Sequence, residues 1–195
     1  SHLYHHHPPS AWSRIDGPLR PRAFTCTELP TPDCHSADGR PTLVLQSPDA
    51  RVSLSRRAET MPHFVRNADG DEILFVHQGR GDLYCDFGRL AFEAGDYVVL
   101  PRGTMWRLEC AEPAAILMIE ATNASYMLPD KGLVGGHAIF DPAMLDAPRV
   151  DEAFLAQQDE KPWRVAVKRR GGVSTVTFPY NPLDAIGWHG ELSVV

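Results

Sequence analysis

The sequence is short of several things that would narrow its chemistry at once. It has only four cysteines, Cys26, Cys34, Cys85 and Cys110, and no two are spaced C-x-x-C. The simplest compartment for such a chain is a reducing cytoplasm, with Cys85 mid-strand, buried and inert. A loop disulfide between Cys26 and Cys34 is the less favoured alternative. No run approaches the roughly eighteen apolar residues of a membrane span, and the polar, histidine-rich start does not read as a signal peptide. Basic residues are outnumbered, 19 against 25 acidic ones, for a net charge of −6. Lys168-Arg169-Arg170 is too short for a nucleic-acid footprint and reads as a solvated strand end before Gly171-Gly172. Neither a nucleic acid nor a membrane is therefore expected as a partner. What remains, 43% hydrophobic residues with 17 prolines, is a globular, loop-rich chain long enough for one good-sized domain, or for one domain plus a substantial appendage.

What is present is a series of short apolar runs closed by glycine. Glu72-Ile73-Leu74-Phe75-Val76-His77-Gln78-Gly79 is followed by Gly95-Asp96-Tyr97-Val98-Val99-Leu100-Pro101-Arg102-Gly103. Each reads as a buried strand ending in a tight turn. Between them, residues 82–86 and 89–93 flank Phe87-Gly88 as a hairpin tip. Residues 42–46 and 51–55 surround the turn chemistry of Ser47-Pro48-Asp49-Ala50 and form a first hairpin. Residues 105–109 alternate, and the apolar run Ile116-Leu117-Met118-Ile119 closes at Glu120. That makes about eight strands between Thr42 and Glu120, enough to close a jelly roll. Phe75, Val99, Leu100, Trp106, Ile116 and Met118 are expected to share its core. Arg66-Asn67-Ala68-Asp69-Gly70-Asp71 reads as a polar turn, Asn67 and Asp69 being turn residues in preference to calcium ligands.

Around this centre, residues 1–41 carry seven prolines and are expected to be an extended arm anchored by Trp12. His5, His6 and His7 alternate sides in such an arm, so at most two could converge on a metal. A docked, proline-terminated segment is the preferred account. Residues 123–195 read as a linker: the loop Leu128 to Gly136, a helix start capped by Asp141 with Pro142 first, and two strands around Gly171-Gly172. Those strands are expected to lack partners here, so the native protein continues or another subunit covers them.

The glycine-paced runs resemble the two motifs of the cupin barrel: Glu72 to Gly79 fits the first, and Gly95 to Pro101-Arg102-Gly103 the second. A metal-binding cupin also has a His-x-His just ahead of that Glu and a further histidine after the Pro-x-Gly. Here His63 stands nine positions before Glu72, and Thr104-Met105-Trp106 follows Gly103. Indole has no free in-plane lone pair with which to replace imidazole. The barrel is read as metal-free, with His77 a surface or packing histidine and Glu72 serving packing.

Leu3 to Pro9, Arg66 to Glu72, Leu128-Pro129-Asp130 with Gly132, and Gly187-Trp188-His189-Gly190 together resemble the homogentisate dioxygenase-like family. That resemblance implies an all-β fold, half of a two-barrel cupin, with residues 42–122 forming a degenerate barrel. It implies non-haem Fe(II) and O2 acting on a hydroquinone-type aromatic acid in tyrosine and phenylalanine breakdown, in a cytoplasmic homo-oligomer. The family's iron ligands lie in the second barrel, so no ligand residue is carried over and this stretch is expected to be scaffold. His189 is the weak candidate for a role at the domain junction. The alternatives are a self-contained metal-free cupin that binds a small molecule, and a metal-independent isomerase drawing on His63, His77 and Tyr84.

Overall fold

A computed structural model of the chain describes residues 2–18, 23, 25–36, 38–127, 141–191 and 193–195. Its strands are β1 (Thr42–Gln46), β2 (Ala50–Arg57), β3 (Phe64–Asn67), β4 (Gly70–Gln78), β5 (Gly81–Cys85), β6 (Gly88–Phe92), β7 (Tyr97–Leu100), β8 (Met105–Cys110), β9 (Ala114–Thr122), β10 (Trp163–Arg169) and β11 (Gly172–Phe178). One sheet runs β1-β2-β9-β4-β7, the other β11-β10-β3-β8-β5-β6. Setting aside β1, β10 and β11 leaves two four-stranded sheets, β2-β9-β4-β7 and β3-β8-β5-β6. That interleaving of early and late strands is the jelly roll of a cupin barrel.

The alternation along each strand decides what faces inward. Leu74 and Val76 of β4, Leu83 and Cys85 of β5, Val98 and Leu100 of β7, Trp106 and Leu108 of β8, and Ile116 of β9 meet in one core, with Met118 packed against it. Phe75 and Val99 are on the opposite parity and leave the expected core. Phe75 packs against Tyr97 in a tilted pair with ring centroids 4.8 Å apart, and Val99 exchanges backbone hydrogen bonds with Val195. The β5–β6 turn is Asp86-Phe87, since Cys85 pairs with Gly88. Gly88 sits at φ 123°, and a Cβ there would collide with the Arg149 carbonyl group, so only glycine fits.

Three expectations need correction. Residues 66–67 belong to β3 and are not part of a turn; Asn67 is buried despite its polarity. The strands around Gly171-Gly172 do not lack partners: β10 runs parallel to β3, from Val165↔Phe64 to Lys168↔Asn67, and β11 pairs with β10. Their partner is distant in sequence, so alternation reveals the strands without showing where they dock. The N-terminal arm is not uniformly extended either. Helix α1 (Pro32–His35) lies on β2, where Asp33 accepts hydrogen bonds from Ser55 Oγ at 2.6 Å and Arg56 N at 3.2 Å. Trp12 is 56% exposed and anchors nothing among the described residues. Asp141 does cap a single 3-10 turn, Pro142–Met144, whereas the stretch from Leu128 to Gly136 lies outside the described residues.

The outer face of the second sheet is covered by the chain after residue 141. Helix α2 (Glu152–Ala156), capped by Asp151, sets Phe154 into a second apolar cluster with Phe64, Tyr84, Met105, Val165 and Leu183. Arg107 is 3% exposed within this layer. Its guanidinium lies 4.7 Å from the Tyr84 ring centroid and 2.6 Å from Glu109 Oε1, a cation held by π-faces and one carboxylate. Because Val165 is drawn outward into this cluster, its neighbours Arg164, Ala166 and Lys168 are turned toward the barrel interior. That packing places β10 at the candidate site.

Candidate functional site

A cavity of about 480 Å³ opens between the two sheets, lined from both of them and from residues 38–41. Its apolar wall includes Met61, Val65, Trp106 and Met118. Its polar wall includes Arg51 and Arg57 of β2, His63, Glu72 of β4, Glu120 of β9 and Lys168 of β10.

Glu72 and Glu120 face each other across the β4–β9 ladder, which puts two carboxylates side by side on the cavity floor. They are treated differently. Glu120 accepts hydrogen bonds from Asn67 Nδ2 at 2.8 Å, Thr122 Oγ1 at 2.9 Å and Lys168 Nζ at 2.5 Å. Lys168 also reaches Asp69 at 3.0 Å. Glu72 has no such cation to itself. Burial pushes its carboxyl up, the Glu120 charge adds to that, and Asn67, Lys168 and Trp106 only partly oppose it, leaving a pKa of about 7. The Trp106 indole is near enough to favour the Glu72 anion, yet its Nε1 makes no hydrogen bond of acceptable geometry.

Asp69 holds the far side of the network. Burial alone would raise its pKa, but the Gly171 N–H, Lys168 and the Arg170 N–H all stabilise the anion, and the net shift is downward. These two N–H groups belong to the β10–β11 turn, where Arg170 and Gly171 sit at φ 50° and 73°. Both residues need the left-handed region that such a two-residue hairpin turn requires. Asp69 therefore fixes the turn and, through it, the position of Lys168. The expectation that Lys168 belongs to a solvated strand end is corrected accordingly. Its side chain is 20% exposed and bridges two buried carboxylates.

His63 is 9% exposed. Burial and the neighbouring Arg57 lower its pKa below the usual imidazole value, with Asp38 acting weakly the other way. Its Nδ1 is 3.5 Å from Asp38 Oδ1 and makes no hydrogen bond. The other histidines that drew notice do not join it. His77 is exposed at the end of β4, His189 is exposed, and neither lines the cavity. Tyr84 points into the outer cluster. Of the residues noted from sequence, the cavity brings together His63, Glu72 and Trp106. The contributions of Arg51, Glu120 and Lys168 were missed, although the period-2 alternation of β10 does group Arg164, Ala166 and Lys168 on one face.

These residues do not fit an iron centre. The cavity supplies one imidazole where a facial site needs two with a carboxylate. Glu120 is already committed to Lys168, Asn67 and Thr122, and Trp106 stands on the wall in place of an imidazole. No group of three His, Cys, Asp or Glu side chains suited to a metal ion occurs among the described residues.

Fold and cavity together define a cupin barrel with an ion-pair network in its interior. Residues 52–194 match the family described as homogentisate 1,2-dioxygenase N-terminal, and the chain belongs to that family. Homogentisate 1,2-dioxygenase from Bradyrhizobium diazoefficiens is 31% identical over 145 residues, covering 73% of this chain and 31% of that protein. The enzyme of the same name from Nitrobacter hamburgensis is 33% identical over the same length and shares. The chain thus spans about a third of the length of these curated relatives. Among solved structures, a cupin-2 domain protein from Shewanella frigidimarina aligns with 22% identity and a TM-score of 0.38, over 42% of this chain and 79% of that one. The fold rests on the strand order described above.

Proposed function

We propose that this chain is the non-catalytic barrel of a homogentisate 1,2-dioxygenase-like oxidoreductase. In this reading it is scaffold beside a second barrel, elsewhere in the same enzyme, that holds Fe(II) and opens the ring of homogentisate or a related hydroquinone-type acid with O2. The setting is tyrosine and phenylalanine catabolism, in a cytoplasmic homo-oligomer. Residues 1–41 act as an arm, 42–122 as the iron-free barrel, and 123–195 as the segment that covers the barrel and leads to its catalytic companion. The observation that carries the reading is the fate of the cavity carboxylates. Glu120 is paired with Lys168, Glu72 is a buried carboxyl whose pKa is raised, and one imidazole is present, so among the described residues the cavity lacks the two imidazoles and free carboxylate of a facial iron site.

Oxygen consumption tests it. The 195-residue chain, supplied with homogentisate and Fe(II), should take up no oxygen above a protein-free control. A longer polypeptide that includes a second barrel should take it up. Turnover by this chain alone would overturn the proposal.

A further inference from the structure

A barrel kept only for support would be expected to fill its interior with apolar side chains at close packing. This one leaves about 480 Å³ open between its sheets, within the range of small-molecule sites. The opening is not a neutral void. Five cationic side chains and three carboxylates line it. Lys168 is matched with Asp69 and Glu120, and Arg164 with Asp38. Arg51 is not. Partly buried on β2, with its guanidinium beside Gly171 of the β10–β11 turn, its side chain makes no hydrogen bond, ion pair or ring contact among the described residues.

Two further atoms on the lining are buried without a hydrogen-bond partner, Trp106 Nε1 and His63 Nδ1, on side chains 4% and 9% exposed. Buried polar groups are nearly always satisfied, and orphans call for a missing partner. The indole N–H can only donate, so its partner must present an acceptor. The apolar wall of Met61, Val65, Trp106 and Met118 offers flat and polarizable surface to a ring-sized body. Guanidinium, in turn, matches a carboxylate in a planar fork.

We infer that the cavity binds a small organic monoanion, a carboxylate on a ring-sized apolar body. Arg51 meets the charge and Trp106 Nε1 donates to an oxygen of the ligand. The inference goes beyond the scaffold reading and does not rest on it: an iron-free barrel can hold such a ligand whatever enzyme it serves.

The test is a titration of the isotopically labelled chain with benzoate, benzamide and acetate, following the Trp106 indole N–H resonance. There are four tryptophans, so Trp106→Phe identifies the signal. Benzoate should shift that resonance saturably. Benzamide, which keeps the ring without the charge, and acetate, which keeps the charge without the ring, should each bind at least about tenfold more weakly. Arg51→Gln should weaken benzoate by at least about tenfold and leave benzamide unchanged. Equal affinity for benzoate and benzamide would overturn the role of charge, and equal affinity for benzoate and acetate the role of the apolar wall. Overturning the site itself would take no saturable movement of Trp106 up to about 20 mM benzoate, a range that would detect even weak binding. An Arg51→Gln chain with unchanged melting temperature and unchanged benzoate affinity would overturn the role of Arg51 in meeting the charge. Should that variant not fold, the three wild-type titrations decide the matter alone.

Discussion

Replacing Glu72 with glutamine should change how stability depends on pH, and the size of the change follows from the cavity. Glu72 is 8% exposed beside Glu120, and its pKa rises from 4.5 to about 7 on folding. Between those two values the folded chain holds a proton that the unfolded chain has released, so stability falls as pH rises through this window. Crossing one pH unit of the window costs about 1.4 kcal/mol. Most of the cost is absent at pH 5, where folded Glu72 is still neutral, and nearly all of it is present at pH 8. Relative to Glu72→Gln, wild type should therefore lose about 2–3 kcal/mol between pH 5 and pH 8. Urea unfolding of both proteins across that range gives the difference directly. The comparison cancels any fixed effect of the amide on hydrogen bonding, because only the pH-dependent part is read. Curves that stay parallel within about 0.5 kcal/mol would refute the reasoning. They would mean that Glu72 ionises alike in the folded and unfolded chain.

Other consequences are measurable in the same way. Lys168→Met leaves Glu120 and Asp69 without their shared cation and should cost about 3 kcal/mol, the low end for a broken buried pair because Lys168 keeps some exposure; a loss under about 0.5 kcal/mol in urea unfolding would show the network to be ornamental. Trp106→Ala should cost about 3–5 kcal/mol, toward the lower figure because an open cavity already adjoins the indole. Thiol labelling under native conditions should modify exposed Cys26 and spare Cys85, whose thiol is buried and pushed up to about 12; mass spectrometry of tryptic peptides reads both sites.

Most strands of the barrel were legible because glycines and turn residues punctuate apolar runs at a period of two. The 42–46 strand and the 163–167 and 173–178 pair are visible in that way. Parity was less legible. Phe75 and Val99 look like core by composition, yet the strand phase that buries Leu74, Val76 and Val98 turns them outward. Strand β3 was hidden because Arg66 and Asn67 are polar, and polarity reads as turn. Asn67 is buried with its amide N–H donated to Glu120, 53 residues away, a partner no local pattern reveals. The same distance problem hid the site. His63, Glu72 and Trp106 could be singled out against the cupin pattern, but Lys168 lies 48 residues from Glu120 and 99 from Asp69. Nothing local marks it as anything but a surface cation. Only the parallel docking of β10 on β3 brings it inside.

Iron binding tests the central claim most directly. The purified chain, loaded anaerobically with Fe(II), desalted and assayed for metal, should retain none in stoichiometric amount, and the Glu72→Gln chain should behave alike. One tightly held iron per wild-type chain, lost in Glu72→Gln or His63→Ala, would contradict the account.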